Sequence, residues 1–174
     1  KVNYQDVFGQ VRMWDTIIFN YLKEKKLVCP AIKENEKSSG YEGAYVKDPV
    51  VGFHDWICSF DLNSLYPHLI MQYNISPETM VGFEPNSVSV EKMLNQESDL
   101  SHLDGCTITP NGAQFRTDKR GFLPKLMEKL YKERVVYKKK MLEAKSLYQE
   151  TGDKRLLNDI AANHNIQLAR KIAL

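Results

Sequence analysis

From Leu123 onward the chain keeps one hydrophobic period for longer than anywhere else, and that period constrains the fold most. Leu123, Met127, Leu130, Arg134, Tyr137, Met141, Ala144 and Tyr148 alternate steps of four and three, which is the seam of a helix packing lengthwise along a second helix. Thr151-Gly152-Asp153 turns the chain, and Leu157, Ile160, Ala161, His164, Leu168 and Lys171 supply the returning stripe. The expectation is an antiparallel helical hairpin. Arg134 breaks the apolar rule of its own seam, and Lys138 lies one helical turn further on the same side. Gln167 and Lys171 are likewise spaced by four. By spacing alone, Arg134 reads as a salt-bridged interface residue.

Charge follows the same division. Between Lys119 and Lys145 ten Lys/Arg stand against three Glu, a balance of +7 that leaves −5 for the rest of a chain with net charge +2. One basic surface suited to a polyanion is expected, against the plainer alternative of a solvated charged helix. Cys29, Cys58 and Cys106 lie far apart, and the four histidines never fall at metal-ligand spacing. A zinc site or disulfide framework is therefore not expected, which fits a reducing cytoplasm. No apolar run reaches membrane-spanning length and no signal peptide is visible, so no membrane partner is expected. Lys1 is not a start residue, and the last helical pattern reaches Leu174 with no glycine, asparagine or proline to close it. The ends are expected to be cut rather than finished.

Ahead of the hairpin, Val11, Trp14, Ile18, Tyr21 and Leu22 repeat at helical spacing, so residues 10–25 are expected to form an amphipathic helix. Lys33–Gly40 is polar and reads as a loop. Trp56, Cys58 and Phe60 alternate like one face of a strand, and Leu62-Asn63-Ser64-Leu65-Tyr66-Pro67 turns into a helix with a proline in its opening turn. Asp61 sits at that junction. A carboxylate placed there can hold a divalent cation while the helix's unpaired N–H groups face its anion. Ser76-Pro77 offers an N-cap and first-turn proline for another short element. Phe83–Gly105 reads as an acidic surface excursion. Cys106–Thr109 and Ala113–Arg116, joined by Pro110-Asn111-Gly112, read as a β-hairpin.

Asp61-x-x-Ser64-Leu65-Tyr66-Pro67, with Tyr73-Asn74-Ile75-Ser76-Pro77-Glu78-Thr79 after it, resembles the first catalytic motif of the family B DNA polymerases in its T-even-type bacteriophage version. Trp14–Asn20 is similar to the return of the chain from the exonuclease region, and Tyr41-Glu42-Gly43-Ala44 to the Tyr-x-Gly-Gly/Ala motif near the template strand. Arg134 and Lys138 match the Arg-x-x-x-Lys of the fingers, and Gln167-x-x-x-Lys171 the start of the second polymerase motif. His68 departs from the small residue the family often has after its proline. The resemblance implies an α+β fold: part of an antiparallel palm sheet with packed helices, plus a two-helix fingers hairpin. Residues 1–40 would be a connecting segment, 41–122 the first part of the palm, and 123–174 the fingers.

The same resemblance implies a DNA-directed DNA polymerase, adding deoxynucleoside triphosphates to a primer 3′-hydroxyl with two Mg²⁺ ions. Asp61 would be catalytic and, with the Leu62 carbonyl, a metal ligand. Ser64, Leu65, Tyr66, Arg134, Lys138 and Gln167 would bind the nucleotide, with Tyr66 excluding a 2′-hydroxyl. Lys171 would protonate the leaving pyrophosphate, and Tyr41, Gly43 and Ala44 would meet DNA. Primer-template DNA, a sliding clamp and a single-stranded DNA-binding protein are the implied partners. A second metal-binding aspartate, in a later Asp-Thr-Asp motif, is missing from these residues, so the chain by itself is expected not to polymerise. The alternative is a non-catalytic module that holds nucleic acid on its basic helical hairpin.

Overall fold

The computed structural model describes residues 3, 5, 9–28, 46–101 and 103–174. The chain divides into two compact units, Lys1–Asp61 and Leu62–Leu174. The loop expected at 33–40 and the Tyr41-Glu42-Gly43-Ala44 motif, with its DNA-binding Tyr41, Gly43 and Ala44, lie outside the described residues.

In the first unit, helix α1 (Gln10–Glu24) forms where its period predicts. Trp14, Ile17, Ile18, Tyr21 and Leu22 are half-buried along one face, whereas Val11 at its start is exposed. The strand expected at Trp56–Phe60 does not form. Residues 46–61 carry no regular element, Trp56 and Phe60 are exposed, and Trp56 has φ +58°. Alternation becomes a strand only where a neighbour takes up its N–H and C=O groups, and the described sheet contains no strand from this unit. A left-handed tryptophan also breaks the extended run.

The second unit contains α2 (Leu65–Gln72), β1 (Met80–Phe83), α3 (Val90–Leu94), β2 (Cys106–Ile108), β3 (Ala113–Arg116), α4 (Phe122–Thr151) and α5 (Leu156–Ala173). Its three strands form an antiparallel sheet in the order β1-β3-β2. The α+β class expected from the sequence is what forms. The β2–β3 hairpin closes as expected, with Cys106 opposite Arg116 and Ile108 opposite Gln114. Its turn places Gly112 at φ +88°, where a Cβ would come within 2.4 Å of the Glu84 backbone, so only glycine fits. β1 was not anticipated. Gly82 supplies its half-buried position, and a Cβ there would stand 2.6 Å from Gln114 Oε1, so the partner's side chain fills the space. A strand whose inward residue is glycine shows no alternation. Inside the expected excursion, α3 takes Ser89 as N-cap, its Oγ accepting from Lys92 N, and Val88 is buried.

α4 and α5 pack as the predicted hairpin, with Gly152 closing α4 at φ +68°. All eight seam positions on α4 are half-buried or buried, Met127 and Met141 most deeply. The face of α5 differs from expectation. Leu157, Ala161, His164, Leu168 and Lys171 are exposed, and the covered positions are Leu156, Ile160, Asn163, Ile166, Gln167, Arg170 and Ala173. Three of those seven positions are polar, Asn163, Gln167 and Arg170, so apolar periodicity points one position too far round. α2 packs along α4, and Pro67, Pro124, Ile108, Ala113 and Phe115 close the core of this unit. Among the described residues no helix is long and apolar enough to cross a membrane.

Candidate functional site

Just before α2, Ser64 adopts a left-handed backbone, φ 52° and ψ 50°, at a cost of roughly 1 to 2 kcal/mol for a residue with a Cβ. Two neighbours hold it there. Its carbonyl accepts from His68 N at 3.1 Å and from His68 Nδ1 at 2.9 Å. A carbonyl only accepts, so the ring proton sits on Nδ1. Its Oγ accepts from Arg134 Nη1 at 3.0 Å. His68 also meets the Tyr131 ring edge-on, centroids 4.8 Å apart.

These contacts leave a shallow cleft of about 80 Å³ between the start of α2 and α4, lined by Asn63, Tyr131, Arg134, Val135 and Lys138. Residues 131, 134, 135 and 138 follow the helical repeat, so one face of α4 forms the wall. The lining carries two cations and no carboxylate. Arg134 is therefore not the ion-paired interface residue that spacing suggested. It is anchored through a neutral hydroxyl and keeps its full charge, beside a helix start that favours anions.

Leu65 and Tyr66 stand in the first turn of α2, and Tyr66 is 71% exposed, so its ring is no part of the core. Gln167 is half-buried in the α4–α5 seam and Lys171 is exposed on α5; neither lines the cleft. Asp61 closes the first unit, exposed, and Leu62 opens the second. The Asp61 carboxylate and Leu62 carbonyl are the hard oxygen donors Mg²⁺ takes. Among the described residues no three His, Cys, Asp or Glu side chains gather as a metal centre.

Asn74, Glu78 and Thr79 stand in the motif that carries the resemblance but were expected to play no particular role. Asn74, at φ +56°, is 4% exposed. Its Nδ2 donates to the carbonyls of Arg116 and Lys119 at 2.6 and 2.9 Å, and its Oδ1 accepts from Gly121 N at 2.9 Å. Glu78 Oε1 accepts from Phe122 N at 2.6 Å and Glu78 Oε2 from Ser76 Oγ at 2.5 Å. Thr79 Oγ1 donates to the Asn74 and Ser76 carbonyls. The Asn-Ile-Ser-Pro-Glu-Thr run is thus a latch that caps α4 from outside and fixes where its cleft-lining face begins. Ser76 does stand at the N-cap position of a 3-10 turn at Pro77–Thr79, without the side-chain cap expected of it.

The depressed carboxyls lie away from the cleft. Hydrogen bonds from Arg116, Lys132 and Arg155 hold Asp118, Glu128 and Asp153 below the ordinary carboxylate range. The larger cavity, about 570 Å³, is walled by Tyr73, Met93, Leu100, Leu103 and Ile108 among others. No cation lines it, so it is not the anion site.

Comparison with known proteins bears on this arrangement directly. Residues 7–164 match the family described as DNA polymerase family B. The DNA-directed DNA polymerase of Escherichia phage RB69 is 36% identical over 171 residues, 97% of this chain and 18% of that protein. That of Enterobacteria phage T4 is 37% identical over 142 residues, 81% of this chain and 15% of its own length. A DNA polymerase of Pyrococcus horikoshii is 36% identical over 135 residues, 74% of this chain and 9% of that protein. The chain spans less than a fifth of each of these relatives. The matched stretch takes in the Ser64 turn, the latch and the cleft-lining face of α4 together, and the chain belongs to DNA polymerase family B.

Proposed function

We propose that this chain is the nucleotide-gripping portion of a DNA-directed DNA polymerase that extends a primer 3′-hydroxyl by two-metal phosphoryl transfer in viral DNA replication. The hydrogen bond from Arg134 to Ser64 carries the reading. It sets a fully charged guanidinium beside the start of α2, with Lys138 in the same wall. Two cations, with Lys171 added from α5, would offset most of the charge of a triphosphate, each charge-assisted contact contributing about 1.5 to 3 kcal/mol. In this assignment residues 41–122 are the first part of a palm and 123–174 the fingers.

At about 80 Å³ the cleft holds only a few waters, whereas small-molecule sites occupy roughly 300 to 1,000 Å³. The cleft is thus a grip for phosphate oxygens. Sugar and base lie beyond it, where exposed Tyr66 stands ready to pack flat against a deoxyribose and exclude a 2′-hydroxyl. The Asp61 carboxylate and the Leu62 carbonyl would hold Mg²⁺, which would supply activation of the primer hydroxyl and neutralisation of the leaving pyrophosphate. Further carboxylate ligands come from outside these residues, so the chain alone does not polymerise. Primer-template DNA is the partner of the whole enzyme, with a sliding clamp and a single-stranded DNA-binding protein in a bacterial cytoplasm.

The test is single-turnover incorporation by the complete polymerase. Arg134→Ala should weaken nucleotide affinity by about ten- to a hundredfold, and Asp61→Asn should remove incorporation while leaving nucleotide affinity largely intact. Unchanged affinity in Arg134→Ala would overturn the grip. Unchanged incorporation in Asp61→Asn would leave a nucleic-acid-binding module without chemistry.

A further inference from the structure

Arg170 and Glu133 form an ion pair, Nε to Oε2 3.0 Å, that joins α5 to α4 across 37 residues of sequence. Four other pairs, Arg116–Asp118, Lys132–Glu128, Lys139–Glu143 and Arg155–Asp153, each span two or four residues. The two side chains are 34% and 32% exposed, so water and salt screen this pair less than the others. The same guanidinium lies over the Tyr137 ring, 6.0 Å from its centroid. Glu133 and Tyr137 are one turn apart on α4 and bracket Arg170 between them. Sliding α5 by one turn, about 5.4 Å, or rotating it by one residue loses both contacts.

The rest of the seam is a mixture of apolar and polar positions. Met141 is its most buried residue on α4, and methionine repacks readily. On α5 the covered positions include Asn163 and Gln167. A polar pair within such a seam fixes alignment better than its apolar neighbours do. We propose that the Glu133–Arg170 pair positions the nucleotide grip: it sets the level of α5 against α4, and with it where Arg134 and Lys171 stand relative to a triphosphate. Each is the chain neighbour of one partner. Residue 133 faces α5 and residue 134 faces α2, so a shift at the first is transmitted to the second through a single peptide unit. This role rests on the nucleotide-binding reading above.

The experiment measures nucleotide dissociation constant, maximal incorporation rate and thermal midpoint in the complete polymerase. Glu133→Gln and Arg170→Gln, which keep shape and remove charge, should each raise the dissociation constant about fivefold and change the maximal rate less than about twofold. The exchange Glu133→Arg with Arg170→Glu should bring the constant back to within about twofold of the parent. A fall in thermal midpoint with an unchanged dissociation constant would overturn the proposal and leave the pair purely structural. Arg134→Ala separates the two readings. If it weakens nucleotide binding and the Glu133 and Arg170 variants do not, positioning alone fails; if it has no effect, the grip fails and positioning with it.

Discussion

α4 meets the rest of its unit at two places that are built differently. At its head, Asn74, Ser76 and Glu78 take up the amides of Gly121, Leu123 and Phe122; Asn74, Ser76 and Gly121 are buried, whereas Glu78 is exposed. Twelve residues further on, Arg134 gives one of five N–H donors to Ser64 Oγ, and Lys138 stands exposed beside it. The head leaves almost no spare hydrogen-bonding capacity. The middle keeps most of its own, together with two uncompensated charges. A saturated region holds position and an unsaturated one is open to a ligand. Both kinds occur within the first five turns of one helix, so the latch determines where the grip stands.

The largest effect that breaks this comparison falls on the head. Asn74→Ala leaves the Arg116 and Lys119 carbonyls and the Gly121 amide without their partner, and should cost about 3 kcal/mol or more. Asn74→Gly removes the same bonds but accepts φ +56° freely, so it should be milder than alanine by about 1 kcal/mol. Chemical denaturation of the two variants checks both numbers. Equal losses would mean that the left-handed backbone contributes nothing, and a loss no greater than that of an exposed cap would undo the distinction between holding and gripping.

Legibility in the sequence divides along the same line. The α4–α5 hairpin was readable because 3.6-residue periodicity accumulates over thirty residues. The latch was not, because Asn74, Ser76 and Glu78 act on residues 42 to 47 positions away and a lone polar residue carries no period. Resemblance marked that run as characteristic without saying what it does. On α5 the apolar Leu157 and Leu168 are exposed while Gln167 and Arg170 are covered, so hydrophobicity named the wrong face. β1 was hidden by Gly82, and Trp56–Phe60 showed alternation with no strand beside it to pair with. Of the cleft, Ser64, Arg134 and Lys138 came from the matched motifs. Tyr131, in its wall, and His68, which packs against Tyr131, had been given no role.

A smaller effect sharpens the contrast at a single atom. Gly121 has φ −67°, which any residue accepts, but a Cβ there would lie 2.5 Å from Ser76 Cβ and 3.1 Å from Thr79 Cγ2. Gly121→Ala should therefore cost about 1 to 3 kcal/mol by crowding alone. Adding Ser76→Gly should recover part of that loss, although it also removes the Ser76 hydroxyl. If the pair were strictly additive in thermal unfolding, the two residues would not share the space the structure gives them.

The smallest effect concerns Asp118, whose carboxyl the Arg116 guanidinium holds below the ordinary carboxylate range. Because its folded pKa is lowered, any stability it contributes is present above the unfolded value of about 3.9 and is lost as pH falls through the folded one. Asp118 is exposed, so Asp118→Asn should move the thermal midpoint only slightly at pH 7, with the difference from the parent closing below about pH 4. The Asn74 side chain is a neutral amide that does not titrate in this range. The deficit of Asn74→Ala should therefore persist through the same acid limb while that of Asp118→Asn disappears. If the two deficits closed together, the Asn74 bonds at the head of α4 would depend on charge, and the division between a saturated anchor and an open grip would have to be drawn elsewhere.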